Sequence, residues 1–148
     1  MRASKSLLAA LFSAAIIVTA ASFATAAGMT DTQLVEARQA AMKQDGQILK
    51  GAKSLEGAEA VAAATTILKN FTSFKSLFRP GSIAGDSRAL PVIWENWADF
   101  TARLDAEKAN ASAMLAAAKA GDKKAYLAAI DALKKPCSSC HLAYARVF

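Results

Sequence analysis

The chain has 148 residues, 54% of them hydrophobic, with 18 lysines and arginines against 12 aspartates and glutamates, two cysteines and one histidine. That length suits one domain with a real core and hardly two. The basic excess is mild and spread along the chain, which argues against nucleic-acid binding, and the single histidine, with no carboxylate pair standing out, supports no acid–base enzyme class.

Arg2 and Lys5 precede an apolar run from Leu7 to Val18, and small residues ending in Ala24-Thr25-Ala26-Ala27 follow. This is the pattern of a secretory signal. The run is short for a membrane anchor and lacks a basic stop-transfer flank. The expected organisation is a cleaved signal over 1–27 and one domain over 28–148, with no stable membrane anchoring after removal. The remaining 121 residues keep 16 basic groups (18 less Arg2 and Lys5) and 12 acidic ones. Two cysteines in an exported chain are ordinarily a disulfide, so their placement matters.

Abundant alanine, helical spacing of apolar residues and no strand-forming runs predict an all-α domain. The first helix starts near Thr30, which has capping-box spacing to Gln33, and carries Leu34, Ala41, Ile48 and Leu55 with Val35, Met42 and Leu49 alongside. The second spans about Glu56 to Phe78, with Val61, Ala64, Leu68, Phe71, Phe74 and Phe78 inward, and Pro80-Gly81 opens a loop. The third opens at Pro91 and turns Ile93, Trp97, Phe100, Leu104, Ala111, Leu115 and Ala118 inward; Gly121 stops it and Asp122 caps the next. The fourth holds Tyr126, Ile130, Leu133, Cys137, Cys140, Tyr144 and Val147 on one face, and Pro136 must either kink it or start a new helix. Two short connections and one longer loop predict an antiparallel up-down-up-down four-helix bundle.

Both cysteines and the only histidine fall in Cys137-Ser138-Ser139-Cys140-His141. C-x-x-C-H is the arrangement for covalent haem attachment: on a helix the two thiols share a face, where they add to the haem vinyl groups, and His141 supplies an axial nitrogen to iron. A disulfide would close only a tiny loop and leave His141 idle, a thioredoxin-type pair wants a βαβ context, and zinc lacks a fourth ligand. One haem c, held through Cys137 and Cys140, is therefore expected. With no second histidine, a sixth ligand within a monomer is methionine, lysine, water or nothing. Met29, Met42 and Met114 lie upstream of the motif, and Met42, beside the stripe of the first helix, is the one a bundle can aim at the haem; plain packing is its other reading. Arg38, one turn before Met42, is within reach of a haem propionate or else a solvated arginine. Trp94, Trp97 and Phe100 read as core or pocket wall. Lys134-Lys135 read as a solvated face or as a charge that steers an acidic redox partner.

With ARQAAMK in the first helix, PVIWENWADF opening the third and C-x-x-C-H near the C-terminus, the chain resembles the class II cytochromes c, the cytochrome c′ family with its low-spin relatives. The resemblance implies a left-handed antiparallel bundle, a periplasmic location and a homodimer packed through the first two helices. It carries over Cys137 and Cys140 as thioether sites, His141 as proximal ligand and Met42 as the distal residue. Low-spin members use that methionine as an iron ligand and resemble electron carriers working with redox partner proteins. Members proper leave iron five-coordinate and take up a diatomic gas, nitric oxide or carbon monoxide. The family usually has a basic residue four after the histidine; here that position is Ala145, with the arginine at Arg146. One residue rotates a helix position by about 100°, so Arg146 is expected to point elsewhere, which weakens the gas-binding reading.

Overall fold

Thr30 starts the first helix as its spacing predicts. Its hydroxyl accepts the Gln33 N–H at 3.2 Å, while the Gln33 side chain accepts the Thr30 N–H at 2.8 Å, so two otherwise orphaned donors are satisfied. The computed structural model describes residues 26–146; apart from Ala26 and Ala27, the expected signal segment lies outside the described residues, as does Val147. Six α-helices follow in the described chain: α1 Asp31–Gly51, α2 Gly57–Leu77, α3 Val92–Glu95, α4 Trp97–Ala120, α5 Lys123–Lys134 and α6 Cys137–Tyr144.

These are the four expected rods with two of them interrupted. The third breaks at Asn96, whose ψ of 41° leaves the helical region, although Asn96 N–H still bonds to Val92 O and Phe100 N–H to Asn96 O. Asparagine tolerates such a departure, and no local pattern of apolar residues signals it. The fourth breaks at Pro136, which has no N–H to give; Lys135 closes the last turn of α5 onto Asp131, and Cys140 N–H to Pro136 O opens α6. Of the two alternatives for Pro136, the structure adopts the new helix. Gly121 takes the left-handed conformation (φ 68°) that ends α4, and Asp122 caps α5 by accepting the Ala125 N–H.

The rods run antiparallel, with α4 packed on both α2 and α5 and α1 packed on α2. Both short connections, 52–56 and 121–122, meet at one end, where Lys123 donates to Leu55 O. The core forms two clusters. At the short-connection end Leu49, Ala64, Ile67, Met114, Tyr126 and Ile130 pack with a run of alanines. At the other end Leu34, Phe74, Phe78, Ile93, Phe100, Leu104 and Tyr144 form an aromatic cluster, against which Met42 and Cys140 are partly buried. Met114, one of the three candidate methionines, is thus sealed in the first cluster and not in the one against which Cys140 packs. Trp97, expected inward, is 37% exposed; the break at Asn96 turns it outward, and it covers only the flank of Phe100, with ring centroids 5.7 Å apart.

Truncating Phe74, which has no exposed surface, removes an aromatic core anchor. Phe74→Ala should lower stability by about 3–5 kcal/mol, read as a lower denaturation midpoint.

Candidate functional site

The long connection between α2 and α3 carries few apolar anchors of its own, and a buried arginine organises it. Arg38, 4% exposed, donates from Nη1 to Leu77 O (3.1 Å) and Ser82 Oγ (3.0 Å), and from Nη2 to Ser82 O (2.7 Å) and Ser87 Oγ (3.0 Å). Its guanidinium also lies 4.6 Å from the Phe78 ring centroid. Burial lowers its pKa from the ordinary arginine value, with Asp31 opposing, and the group remains a cation. The connection in turn grips the end of the chain: Leu90 N–H bonds to Tyr144 O, Arg146 N–H to Arg88 O, and Arg88 closes on Arg146 O. The side chain of Arg146 donates to Ser87 O, so it is directed onto the connection; α6 ends at Tyr144 and Ala145 is extended, so helix rotation does not set its direction.

Between these tethers and the aromatic cluster lies a cavity of about 430 Å³, within the roughly 300–1,000 Å³ usual for bound organic ligands. Met42, Phe78, Ile93, Phe100, Leu104 and Tyr144 supply apolar wall, Cys140 and His141 reach it from α6, and Arg38, Asp86 and Arg88 stand at its polar side. A smaller hollow of about 270 Å³ between the two short connections has no thiol or imidazole in its lining. The expected residues are therefore largely brought together: Arg38, Met42, Cys140 and His141 line one space. Cys137 does not line it; it is exposed one turn before Cys140, with its thiol 3.2 Å from Leu133 O.

Both cysteines are free thiols. Burial pushes the Cys137 thiol up, with Glu107 and then Asp45 adding to the effect; at Cys140 burial again leads, opposed by Arg103. Tyr144 donates to Asp99, which also accepts from Arg103 Nε at 2.7 Å, joining α6 to α4. These bonds, the tyrosine's first, hold the Asp99 carboxyl below its ordinary pKa.

Two functional candidates escaped the sequence. Asp45, 4% exposed on α1, accepts from Asn70 Nδ2 at 2.7 Å through one oxygen, while the other is buried without a partner among the described residues. Burial pushes its pKa up to about 6, partly offset by Asn70. Glu107 on α4 likewise has a buried, unpartnered Oε2, and burial pushes it up to about 7, offset by Asn110. Each sits at core spacing on its helix, Asp45 between Met42 and Leu49 and Glu107 between Leu104 and Ala111, so the helical period of the flanking apolar residues could have found them.

An apolar slot lined by a thiol, an imidazole and a thioether, with a second free thiol one helical turn away, has the donor set for a covalently held tetrapyrrole with iron at its centre. The family model described as cytochrome C′ matches residues 29–145, and the chain belongs to that family, whose members carry covalently attached haem c. It is 38% identical over 117 residues to a cytochrome c-556 of Agrobacterium tumefaciens, across 74% of this chain and 94% of that protein. A solved cytochrome c′ from Shewanella frigidimarina superposes with a TM-score of 0.70 at 29% identity, covering 79% of this chain and 97% of that one. A cytochrome c′ described as having ligand-controlled dimer dissociation superposes at 0.72 and 25% identity, over 81% and 99%. The chain is thus a class II haem c protein with the four-helix bundle of its relatives, an electron carrier or a gas binder.

Arg38→Ala removes four hydrogen bonds to buried oxygens and should cost about 2–4 kcal/mol. Limited proteolysis should then cut first within residues 79–90. For Asp45 and Glu107 the folded-state pKa lies above the unfolded one, so the folded state binds protons more readily. Their stabilising contribution is full below about pH 4 and is lost as pH rises through about 6 and 7. Asp45→Asn should therefore narrow the stability difference between acidic and mildly alkaline pH by on the order of 2–3 kcal/mol, seen in denaturation midpoints across pH.

Proposed function

We propose that the protein is exported to the periplasm, loses residues 1–27, and carries single electrons on one haem c between redox partner proteins, with no substrate chemistry of its own. The observation that carries this reading is that His141 and Met42 reach one apolar cavity from different helices, so an imidazole nitrogen and a thioether sulfur are both available to iron. Among the described residues no helix is long and apolar enough to cross a membrane.

In this reading Cys137 and Cys140 would hold the haem through thioether links, and His141 and Met42 would be the side chains offered to its iron. When bound, the haem supplies a reversible one-electron change at iron. The protein's share is placement and medium. Phe78, Ile93, Phe100 and Leu104 exclude water, which keeps solvent reorganisation small on electron transfer and favours a stable potential. Arg38 is assigned to the propionate side of the cavity; with its four terminal N–H groups engaged on the connection, it acts there as a fixed positive charge and through its remaining Nε–H. Lys134 and Lys135 are exposed beside the motif, and Leu142 next to His141 is 67% exposed. A basic rim around an apolar contact suits an acidic partner met briefly. A homodimer through α1 and α2 belongs to the same proposal, as its relatives include dimeric proteins.

The second reading is a five-coordinate haem that binds nitric oxide or carbon monoxide. It is favoured by the partly buried, packed position of Met42, which suits a side chain that covers iron without bonding to it. Visible spectra of the purified protein, oxidised and reduced, beside Met42→Ala separate the two. A low-spin parent that becomes high-spin in the variant is the expected result. A high-spin parent that takes up carbon monoxide rapidly and completely when reduced would replace electron transfer with gas binding.

A further inference from the structure

Between the two core clusters three rods place a polar side chain and the fourth places a cysteine. Asp45 lies between Met42 and Leu49 on α1, Asn70 between Ile67 and Phe74 on α2, Glu107 between Leu104 and Ala111 on α4, and Cys137 between Leu133 and Cys140 where α5 passes into α6. Two carboxyl groups in a bundle core are costly, and each keeps one oxygen with no donor among the described residues. Both act through space on Cys137, and Glu107 acts on Cys140 as well. Asp45 is one turn from Met42 and Glu107 one turn from Leu104, and both of those residues line the cavity, so the acidic groups stand at its inner end.

We propose that Glu107, assisted by Asp45, is a redox-linked proton site: its carboxylate takes up one proton from solvent when the attached haem accepts an electron, and releases it on reoxidation. The balance is simple. One electron from the reducing partner converts ferric to ferrous iron, the local positive charge falls by one, and a proton adds to the carboxylate; both leave together in the reverse direction. Because the ferric charge favours the ionised carboxyl, reduction raises proton affinity, and by linkage the potential must fall as pH rises. The surroundings leave Glu107 as the responsive group. On its own helix Arg103 acts on Cys140 and Asp99 is engaged by Tyr144 and Arg103; from α5, Lys134 acts on Cys137; from α2, Asn70 offers only a neutral amide, already given to Asp45 and Gln44. The two thiols no longer titrate once alkylated. Burial already brings Glu107 to about 7 and Asp45 to about 6, so both respond near neutrality.

The proposal rests on the haem reading, and its test keeps the two apart. The haem-loaded full chain is first assayed for covalent haem, and its reduction potential is then measured between about pH 5 and pH 8. The expected parent curve falls with pH by up to tenfold in the redox equilibrium per unit, about 59 mV for one electron. Glu107→Gln should flatten most of that fall and Asp45→Asn a smaller part, while titration of haem propionates would persist equally in parent and variants. A flat parent curve, or a slope unchanged in Glu107→Gln, overturns the proposal while leaving the haem reading intact; absence of covalent haem overturns both. If Glu107→Gln fails to fold, infrared difference spectra of the parent with isotope-labelled glutamate decide. A labelled protonated-carboxyl band that appears on reduction supports the assignment, and its absence overturns it.

Discussion

Arg38 donates four hydrogen bonds into a connection that has almost no core of its own, and the rest of the site hangs from that guanidinium. Leu77, Ser82 and Ser87 are fixed by it; the segment after Ser87 then pairs with the chain's last described residues, Ala89 opposite Ala145. That bridge sets where α6 ends and so where Tyr144 meets Asp99 and where Cys140 and His141 stand. A lysine here would be a poor replacement, since four oxygens met by two nitrogens need a rigid fork of donors rather than a point charge. The charge is tolerated at 4% exposure because its terminal donors are all used.

The division of the core has a chemical logic. The end with two tight turns is filled by alanines and aliphatic side chains, with Tyr126, that let helices approach closely, and its hollow is lined by neither thiol nor imidazole. The other end is filled by large rings whose edge-to-face contacts, such as Phe78 with Phe100 at 4.8 Å and Phe100 with Tyr144 at 5.2 Å, hold walls apart while keeping them rigid. A flat apolar group requires the second kind of construction. The polar layer between the two ends costs stability and separates a packing domain from a binding one.

Much of this was legible from local rules. The capping box at Thr30 and Gln33, the Gly121 stop with its Asp122 cap, the four-rod count and the C-x-x-C-H cluster all depend on residues within a few positions of one another, where sequence spacing is geometry. What was missed depends on contacts far along the chain. Asp45 and Glu107 have polar chain neighbours, and although their spacing from Met42, Leu49, Leu104 and Ala111 puts them on the inward face, the partner Asn70 that Asp45 meets is 25 positions away. Arg38 was singled out, yet its partners lie some 40 to 50 positions away, in a serine-containing loop with no periodicity to read. Trp97 was misplaced because the apolar period continues through Asn96 while the backbone does not. The bonds that would assign Met42 to iron are a matter of fractions of an ångström and are absent from any pattern of residues.

Both short connections lie at one end of the bundle, so the start of the described chain, the long connection and the motif's end all gather at the other. The consequence is evolutionary. Lengthening the chain between its anchor points, within residues 79–81 or 83–86, adds little closure entropy and leaves the alanine-packed base untouched, whereas Phe78, Ser82, Ser87 and Ala89 are held by packing and by their bonds. A bundle built this way confines tolerated changes of length to the few positions between those anchors, on the side of the chain that faces the cavity.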